Sequence, residues 1–318
     1  MTATGGLPRR PGPSVRTRVT ELQQQPEPAT DAGGHAGPGT ADGAGADAGA
    51  GDEARRHEDR LVTEEPLELR LGWPGRSPER AWLTMRTPGH DFELAVGWAR
   101  HEGILGEAQA GGDGGDGGDG VLERVAYCTD RALTREQEFN VVTVTLAGPP
   151  AVLPGHGHLR PGLASSACGV CGKESLERAL AAPQGARWEG PLPSPATVRR
   201  LPALLRARQP LFDRTGGSHA AGLFTADGDC LAVREDVGRH NAVDKVTGAR
   251  LLAGDSAAAA VLVVSGRAGF ELVQKAVAVG TGALVSVGAP TSLSVDLARR
   301  AGLALYGFTR PDRTVRYA

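Results

Sequence analysis

Cys168 and Cys171 enclose only Gly169 and Val170, with Ala167 and Gly172 on either side. A thiolate is the sulfur nucleophile, and a glycine-flanked loop lets it reach two partners in turn. A second thiol two residues away can resolve a persulfide or a mixed disulfide. Lys173, just downstream, would lower a thiol pKa through its charge. Several chemistries use such a pair. A structural zinc site needs two more ligands, yet Cys128 and Cys230 stand alone, with no second C-x-x-C and no H-x3–5-H spacing. Zinc deaminase chemistry needs H-x-E together with P-C-x-x-C; Ala167 precedes Cys168 and no His-x-Glu occurs. A redox pair normally opens a helix directly after a strand, whereas Pro161-Gly-Leu-Ala-Ser-Ser166 precedes this one. A mobile thiol carrier fits the context better, with the zinc and redox readings left open.

Two polar clusters could serve a ligand. Glu235-Asp-Val-Gly-Arg-His-Asn241 packs two acids, Arg239 and His240 between a strand and a helix. Upstream, Thr215-Gly216-Gly217-Ser218-His219 places a second histidine on a glycine turn. Such boundaries often hold ligands, and His240 can move protons near neutral pH. The structural alternative is capping, with Asn241 as N-cap and Asp236 beside the helix dipole. Asp244, Lys245 and Lys275 read equally well as solvated helix faces.

The elements that would position these groups fall into two units. Residues 1–60 are rich in Gly, Ala, Pro and Asp, so a disordered tail is expected. Residues 61–150 read as a small α+β unit. It has a hairpin from Leu67–Leu71 and Ala81–Met85, a helix over Asp91–Gly103 and a β-branched strand over Phe139–Leu146. The Gly-Gly-Asp repeats of Gly111–Gly120 predict a flexible loop within it.

Residues 151–318 form the second unit. Helices are expected over Ser175–Ala182, Thr197–Gln209 and Asn241–Leu252, and Ala220–Thr225 should pair with Cys230–Arg234 across Ala226-Asp-Gly-Asp229. The last sixty residues then alternate: apolar Ala259–Val264, helical Phe270–Val279, apolar Ala283–Val287, helical Ser292–Ala301 and a short strand at Leu303–Tyr306. This predicts an α/β unit (α+β for the whole chain) with a largely parallel sheet covered by helices. Ligands of such sheets bind beyond the strands' carboxyl ends. Ser265-Gly-Arg267, Ala289-Pro-Thr-Ser292 and Gly307-Phe-Thr-Arg310 land there, offering arginines, hydroxyls and a helix N-terminus suited to a phosphate ester.

Composition narrows the class. The net charge of −2 over 318 residues, with no basic arm, argues against nucleic acid. No run of about 20 apolar residues suggests a membrane span. The arginines at 9, 10, 16 and 18 precede no apolar segment, so no signal peptide is visible and a cytoplasmic protein is expected.

The chain resembles the formate dehydrogenase accessory sulfurtransferases, the FdhD family. The resemblance rests on collinear motifs from about residue 62 to 317. They are Met85-Arg-Thr-Pro-Gly-His-Asp-Phe-Glu-Leu-Ala95, Cys168-Gly-Val-Cys-Gly-Lys173, Thr215-Gly-Gly-Ser-His-Ala-Ala221 and Arg234-Glu-Asp-Val-Gly-Arg-His-Asn-Ala-Val-Asp-Lys245. Val264-Ser-Gly-Arg267, Phe270-Glu-Leu-Val-Gln-Lys275, Ala289-Pro-Thr-Ser-Leu293 and Gly307-Phe-Thr-Arg310 complete the set. Trp98 stands where Phe is more usual, and Ala167 where Ser is common.

The resemblance implies a sulfur carrier that takes persulfide sulfur from a cysteine desulfurase and passes it to molybdenum or tungsten bis(molybdopterin guanine dinucleotide), held as a substrate with no intrinsic metal. The recipient of that cofactor would be formate dehydrogenase. Cys168 would carry the persulfide and Cys171 assist. Phe308, Thr309, Arg310, Pro311, Asp312 and Arg313 match the family's cofactor-binding stretch. The implied fold resembles cytidine deaminases without their metal, in a homodimer. From their clustering, Arg267, Thr215, Gly216, Gly217, His219, Arg239 and His240 join the expected dinucleotide site. The alternatives are a cofactor chaperone without sulfur chemistry and a C-x-x-C redox protein.

Overall fold

The computed structural model describes residues 11–23, 53–106, 120–130, 133–134, 137–150, 152 and 185–318. The loop of Cys168 and Cys171, the expected helix over Ser175–Ala182 and all but the last residue of the Gly-Asp insert lie outside them.

The chain begins with a two-stranded antiparallel ribbon, β1 (Ser14–Gln23) against β2 (Glu53–Val62). This departs from the expected disorder of residues 1–60. Average composition hid the cause, which is the local alternation of Val15, Thr17 and Val19, a strand pattern inside a biased segment.

The N-terminal unit carries the expected hairpin, β3 (Glu65–Trp73) with β4 (Arg76–Arg86), turned at Gly75, whose φ of 82° suits glycine. β6 (Val141–Leu146) pairs parallel with β3, and β5 (Leu122–Tyr127) antiparallel with β6. The order is β4-β3-β6-β5. Helix α1 (Asp91–His101) covers one face: Leu94, Ala95 and Trp98 pack on Leu67, Leu69, Val142 and Val144. Each buried Leu or Val side chain here contributes roughly 1.5–3 kcal/mol.

The C-terminal unit is a six-stranded sheet in the order β12-β11-β10-β9-β7-β8. Its strands are β7 (His219–Phe224), β8 (Cys230–Asp236), β9 (Val261–Val264), β10 (Ala283–Ser286), β11 (Ala304–Gly307) and β12 (Val315–Arg316). β9, β10 and β11 are parallel, as their spacing with intervening helices requires. β7 runs antiparallel to both β8 and β9, and β12 antiparallel to β11. The sheet is therefore mixed, not largely parallel. Apolar runs reveal burial on both faces but not which neighbour a hairpin joins.

Helices cover both faces. Helices α4 (Arg239–Leu252), α5 (Phe270–Ala278) and α6 (Ser292–Ala301) pack Val246, Leu272, Val273 and Leu297 on Leu223, Leu262, Leu284 and Leu305. Helix α2 (Pro195–Arg206) packs Val198, Leu201 and Leu205 on Phe224, Val261, Val263 and Val285 on the other side. The Ser194 hydroxyl caps α2 by accepting the Thr197 N–H at 3.1 Å. A short α3 (Pro210–Thr215) follows, because Pro210 cannot continue the preceding helix.

The two units meet where α1 crosses α4. A Cβ at Gly97 would lie 1.9 Å from the Asp244 carbonyl oxygen, and one at Gly248 1.8 Å from that of Glu93. Only glycine allows this approach of two helix backbones.

Candidate functional site

Strand direction gathers the expected groups at one sheet edge. β9, β10 and β11 end there. β7, antiparallel to β9, begins there with His219, and β8 ends there at Asp236, opposite His219 in register. The loops at 215–219, 236–240, 265–268, 287–291 and 308–314 thus share the edge.

Backbone bonds lock these loops together. Ser265 donates its N–H to the Ala220 carbonyl (3.0 Å), and the Ala220 N–H returns to Ser265 Oγ (2.9 Å). Gly288 donates to the Gly266 carbonyl (3.0 Å), and Phe308 to that of Gly288 (3.0 Å). Buried Ser286 donates its hydroxyl toward the carbonyls of Gly288 (2.9 Å) and Tyr306 (3.1 Å), while its own carbonyl accepts the Thr309 N–H (3.2 Å). A Cβ at Gly307 would stand 2.9 Å from Pro290 Cδ, so a side chain there would push two loops apart.

Arg267, Arg310 and Arg313 are exposed at this edge and make no ion pair among the described residues. The turn Arg310-Pro311-Asp312-Arg313 is closed by backbone bonds between its end residues (2.8 and 3.3 Å). Phe308 projects beside them, 38% exposed, with φ of 50°. A bulky residue held in the left-handed region stores of order 1–3 kcal/mol of strain, a cost that clusters at ligand sites. Thr309 is buried, its hydroxyl 2.9 Å from that of Thr314, so it shapes the turn from below.

The second cluster joins the same edge. His219 Nδ1 lies 3.4 Å from Ser265 Oγ. Burial, followed by the charges of Arg239 and His240, holds the His219 pKa below its ordinary value. His240 Nε2 is 2.6 Å from Glu271 Oε2. That bond outweighs burial and holds the Glu271 carboxyl below the usual range, with Lys275 and Arg239 adding to it. Thr215 donates its hydroxyl to the Leu211 carbonyl (2.8 Å) and accepts the Gly217 N–H (3.3 Å), so it folds the loop rather than offering a donor. Gly216, with φ of 63°, ends α3.

Three helices start at this edge and differ. At α6, Thr291 and Ser294 form a reciprocal capping box, which satisfies two of the N–H groups at the helix start. α4 and α5 start at Gly238 and Gly269 with no side-chain cap.

The capping and solvated-face alternatives are also corrected. Asn241 is not the N-cap; it donates to the Met85 carbonyl (2.7 Å) and to Asp236 (3.1 Å). Buried Asp236 holds Lys245 Nζ at 2.6 Å and the Thr87 N–H at 3.1 Å. Lys245 is 1% exposed. Buried Asp244 accepts from His101 Nδ1 and Lys275 Nζ, both at 2.6 Å. Adjacent Asp244 and Lys245 serve different buried partners, which helical periodicity over polar residues does not reveal. Arg86, fully buried and bidentate to Asp91 (2.9 and 3.1 Å), was likewise missed; its only signal is its place in the Met85–Ala95 motif.

The donor set at the edge suits a polyanion: guanidinium groups and helix starts without side-chain partners among the described residues, and an exposed ring. A sequence profile of the FdhD/NarQ family matches residues 62–318. The chain belongs to the FdhD/NarQ family. Among similar curated proteins, the sulfur carrier protein FdhD of Streptomyces avermitilis is 46% identical over 258 residues, covering 79% of this chain and 84% of that one. The protein of the same description from Nocardia farcinica is 45% identical over 264 residues, covering 81% and 85%. A crystal structure of a candidate formate dehydrogenase accessory protein from Desulfotalea psychrophila superimposes with a TM-score of 0.61 over 96% of each chain, at 20% identity. That likeness shows a shared fold. No helix among the described residues is long and apolar enough to cross a membrane.

Proposed function

We propose that this FdhD-family protein carries sulfur to a molybdenum–pterin dinucleotide and so matures formate dehydrogenase. The observation that carries this reading is the convergence of Arg239, Arg267, Arg310 and Arg313 on one sheet edge, in a chain about 45% identical to proteins described as sulfur carriers. Arginine forks suit the phosphates of a guanine dinucleotide, and exposed Phe308 offers a stacking surface for its base. The residues fit bis(molybdopterin guanine dinucleotide) as a substrate, held by its phosphates.

The chemistry belongs to the cysteines. The Cys168 thiolate attacks the outer sulfur of a persulfide on a cysteine desulfurase. The donor's sulfur–sulfur bond breaks and the donor leaves as a thiolate, so no net oxidation occurs. Release as sulfide needs two electrons. Cys171 supplies them by attacking the inner sulfur of the Cys168 persulfide, which leaves hydrosulfide for the cofactor and a Cys168–Cys171 disulfide. A cellular dithiol then restores the pair. The family resemblance further supports a cytoplasmic homodimer with a deaminase-like arrangement, and the helix-covered mixed sheet is compatible with it.

The Cys168→Ala variant tests the reading. It should bind guanine nucleotide normally and yield inactive formate dehydrogenase in cells lacking the native protein. Active dehydrogenase with that variant would leave only a cofactor chaperone.

A further inference from the structure

The β1–β2 ribbon, all but its last residue Val62, lies outside the matched family segment, and it is rooted against a loop of the anion edge. A Cβ at Gly217 would be 2.9 Å from Val62 Cγ1, and the Thr63 N–H donates to the Pro13 carbonyl at 3.0 Å, closing the ribbon's base. The loop it touches is fixed. The Glu235 carboxylate accepts the N–H groups of Leu211 and Phe212 (both 2.8 Å) and the Ser218 hydroxyl (2.9 Å). The ribbon root is therefore set relative to His219, the next residue.

Side chains alternate along a strand, so the face that carries Val62 also carries Arg60, Glu58 and Arg56. Across from these, the register places Ser14, Arg16, Arg18 and Thr20. Arg16 stands directly opposite Arg60, an arrangement that destabilises a strand pair. Exposed Arg16 reaches Glu58 at 3.6 Å; Arg18, Arg56 and Arg60 make no ion pair among the described residues. The opposite face differs: Glu21 faces Arg55 and Asp59 faces Thr17. The basic face is thus the one turned toward the glycine loop. Its first charged rung lies two residues, roughly 7 Å, from the Val62 contact, within reach of an arginine side chain.

A two-stranded ribbon is marginal in water by itself, and two facing guanidinium groups weaken it further. A phosphate between them turns repulsion into two charge-assisted hydrogen bonds. We propose that Arg16 and Arg60 form a phosphate clamp that extends the anion edge past Gly216 and Gly217 and takes the distal phosphate of the bound guanine nucleotide. This rests on the reading of the edge as the dinucleotide site.

The test is calorimetric titration of the full chain with GDP and with GMP, which lacks the distal phosphate. Arg16→Ser/Arg60→Ser should bind GDP about 10-fold more weakly than the unmodified chain, with a shallower salt dependence. It should bind GMP as the unmodified chain does, without a fall in melting temperature. Arg55→Ser, on the opposite face, should leave GDP binding unchanged. Unaltered GDP affinity in the double variant overturns the clamp alone, as does an equal loss in Arg55→Ser, which would indicate a general field. Failure of the unmodified chain to bind either nucleotide overturns the site reading, and the clamp with it.

Discussion

The α1–α4 junction and the carboxyl edge of the sheet are both crowded with charge, and they use it in opposite ways. At the junction His101, Asp236, Asp244 and Lys245 are buried, and nearly every charge has a partner at 2.6 Å. At the edge Arg267, Arg310 and Arg313 are exposed and unpaired among the described residues. Buried charges are tolerated only when matched, so the first set fixes geometry. Exposed, unmatched arginines on a locked frame are free to bind. The comparison teaches that burial and pairing, more than residue type, separate the groups that hold this protein together from those left open to solvent.

The largest effect should come from breaking the junction. Gly248→Leu would drive a side chain into the Glu93 carbonyl, and overpacking of this severity should cost more than ~3 kcal/mol, read as a collapse of the thermal transition.

Lys275→Met comes next. It leaves Asp244 buried without its cation and should cost about 3–5 kcal/mol near pH 8. Acid then sharpens the contrast. In the intact protein, burial holds the His101 pKa below its ordinary 6.5, with Lys275 adding to the shift against the pull of Asp244. The unfolded chain takes up a proton that the folded one refuses, so stability falls as pH drops below 6.5. In Lys275→Met the His101 ring can supply the missing charge, and stability should instead recover as pH drops through this range. Denaturant melts from pH 8 to 5 distinguish the two slopes. A lower step follows at Glu93. Burial pushes this carboxyl up, but Arg234 and His90 outweigh it and hold it at about 2 against an ordinary 4.5. That stability is complete above 4.5 and is lost as pH falls toward 2.

At the edge the expected signs reverse. Arg310→Ser/Arg313→Ser should weaken GDP binding about 10- to 100-fold while the melting temperature stays within about 1–2 °C. The smallest effect belongs to Phe308→Gly. Relief of a positive φ should leave stability unchanged or raised by ~0.5–1 kcal/mol, while nucleotide affinity falls. A loss of stability in either edge variant would erase the distinction between the two regions.

Much of the edge was legible in the sequence because strands separated by helices dictate where their loops emerge. Arg267 and Phe308–Arg310 were placed there from topology, Pro311–Arg313 by the family resemblance, and Thr215–His219 and Arg239–His240 from clustering; the structure brings all of them to one edge. The junction was not legible. Polar Asp244, Lys245 and Lys275 read as solvent-facing, because their pairing in the interior depends on distant groups, His101 for Asp244 and the Thr87 carbonyl for Lys245, and on glycines that let two helices touch. The ribbon was hidden by the composition around it. The cysteine pair was legible as chemistry and lies outside the described residues, so its assignment rests on motif and family.

The central claim is sulfur carriage on Cys168. The most direct measurement is mass spectrometry of the full chain after incubation with a cysteine desulfurase and cysteine, with peptide mapping of the product. The account predicts a gain of one sulfur on the peptide bearing Cys168, removed by a reducing thiol and absent in Cys168→Ala. No added sulfur, or sulfur only on Cys128 or Cys230, would contradict it.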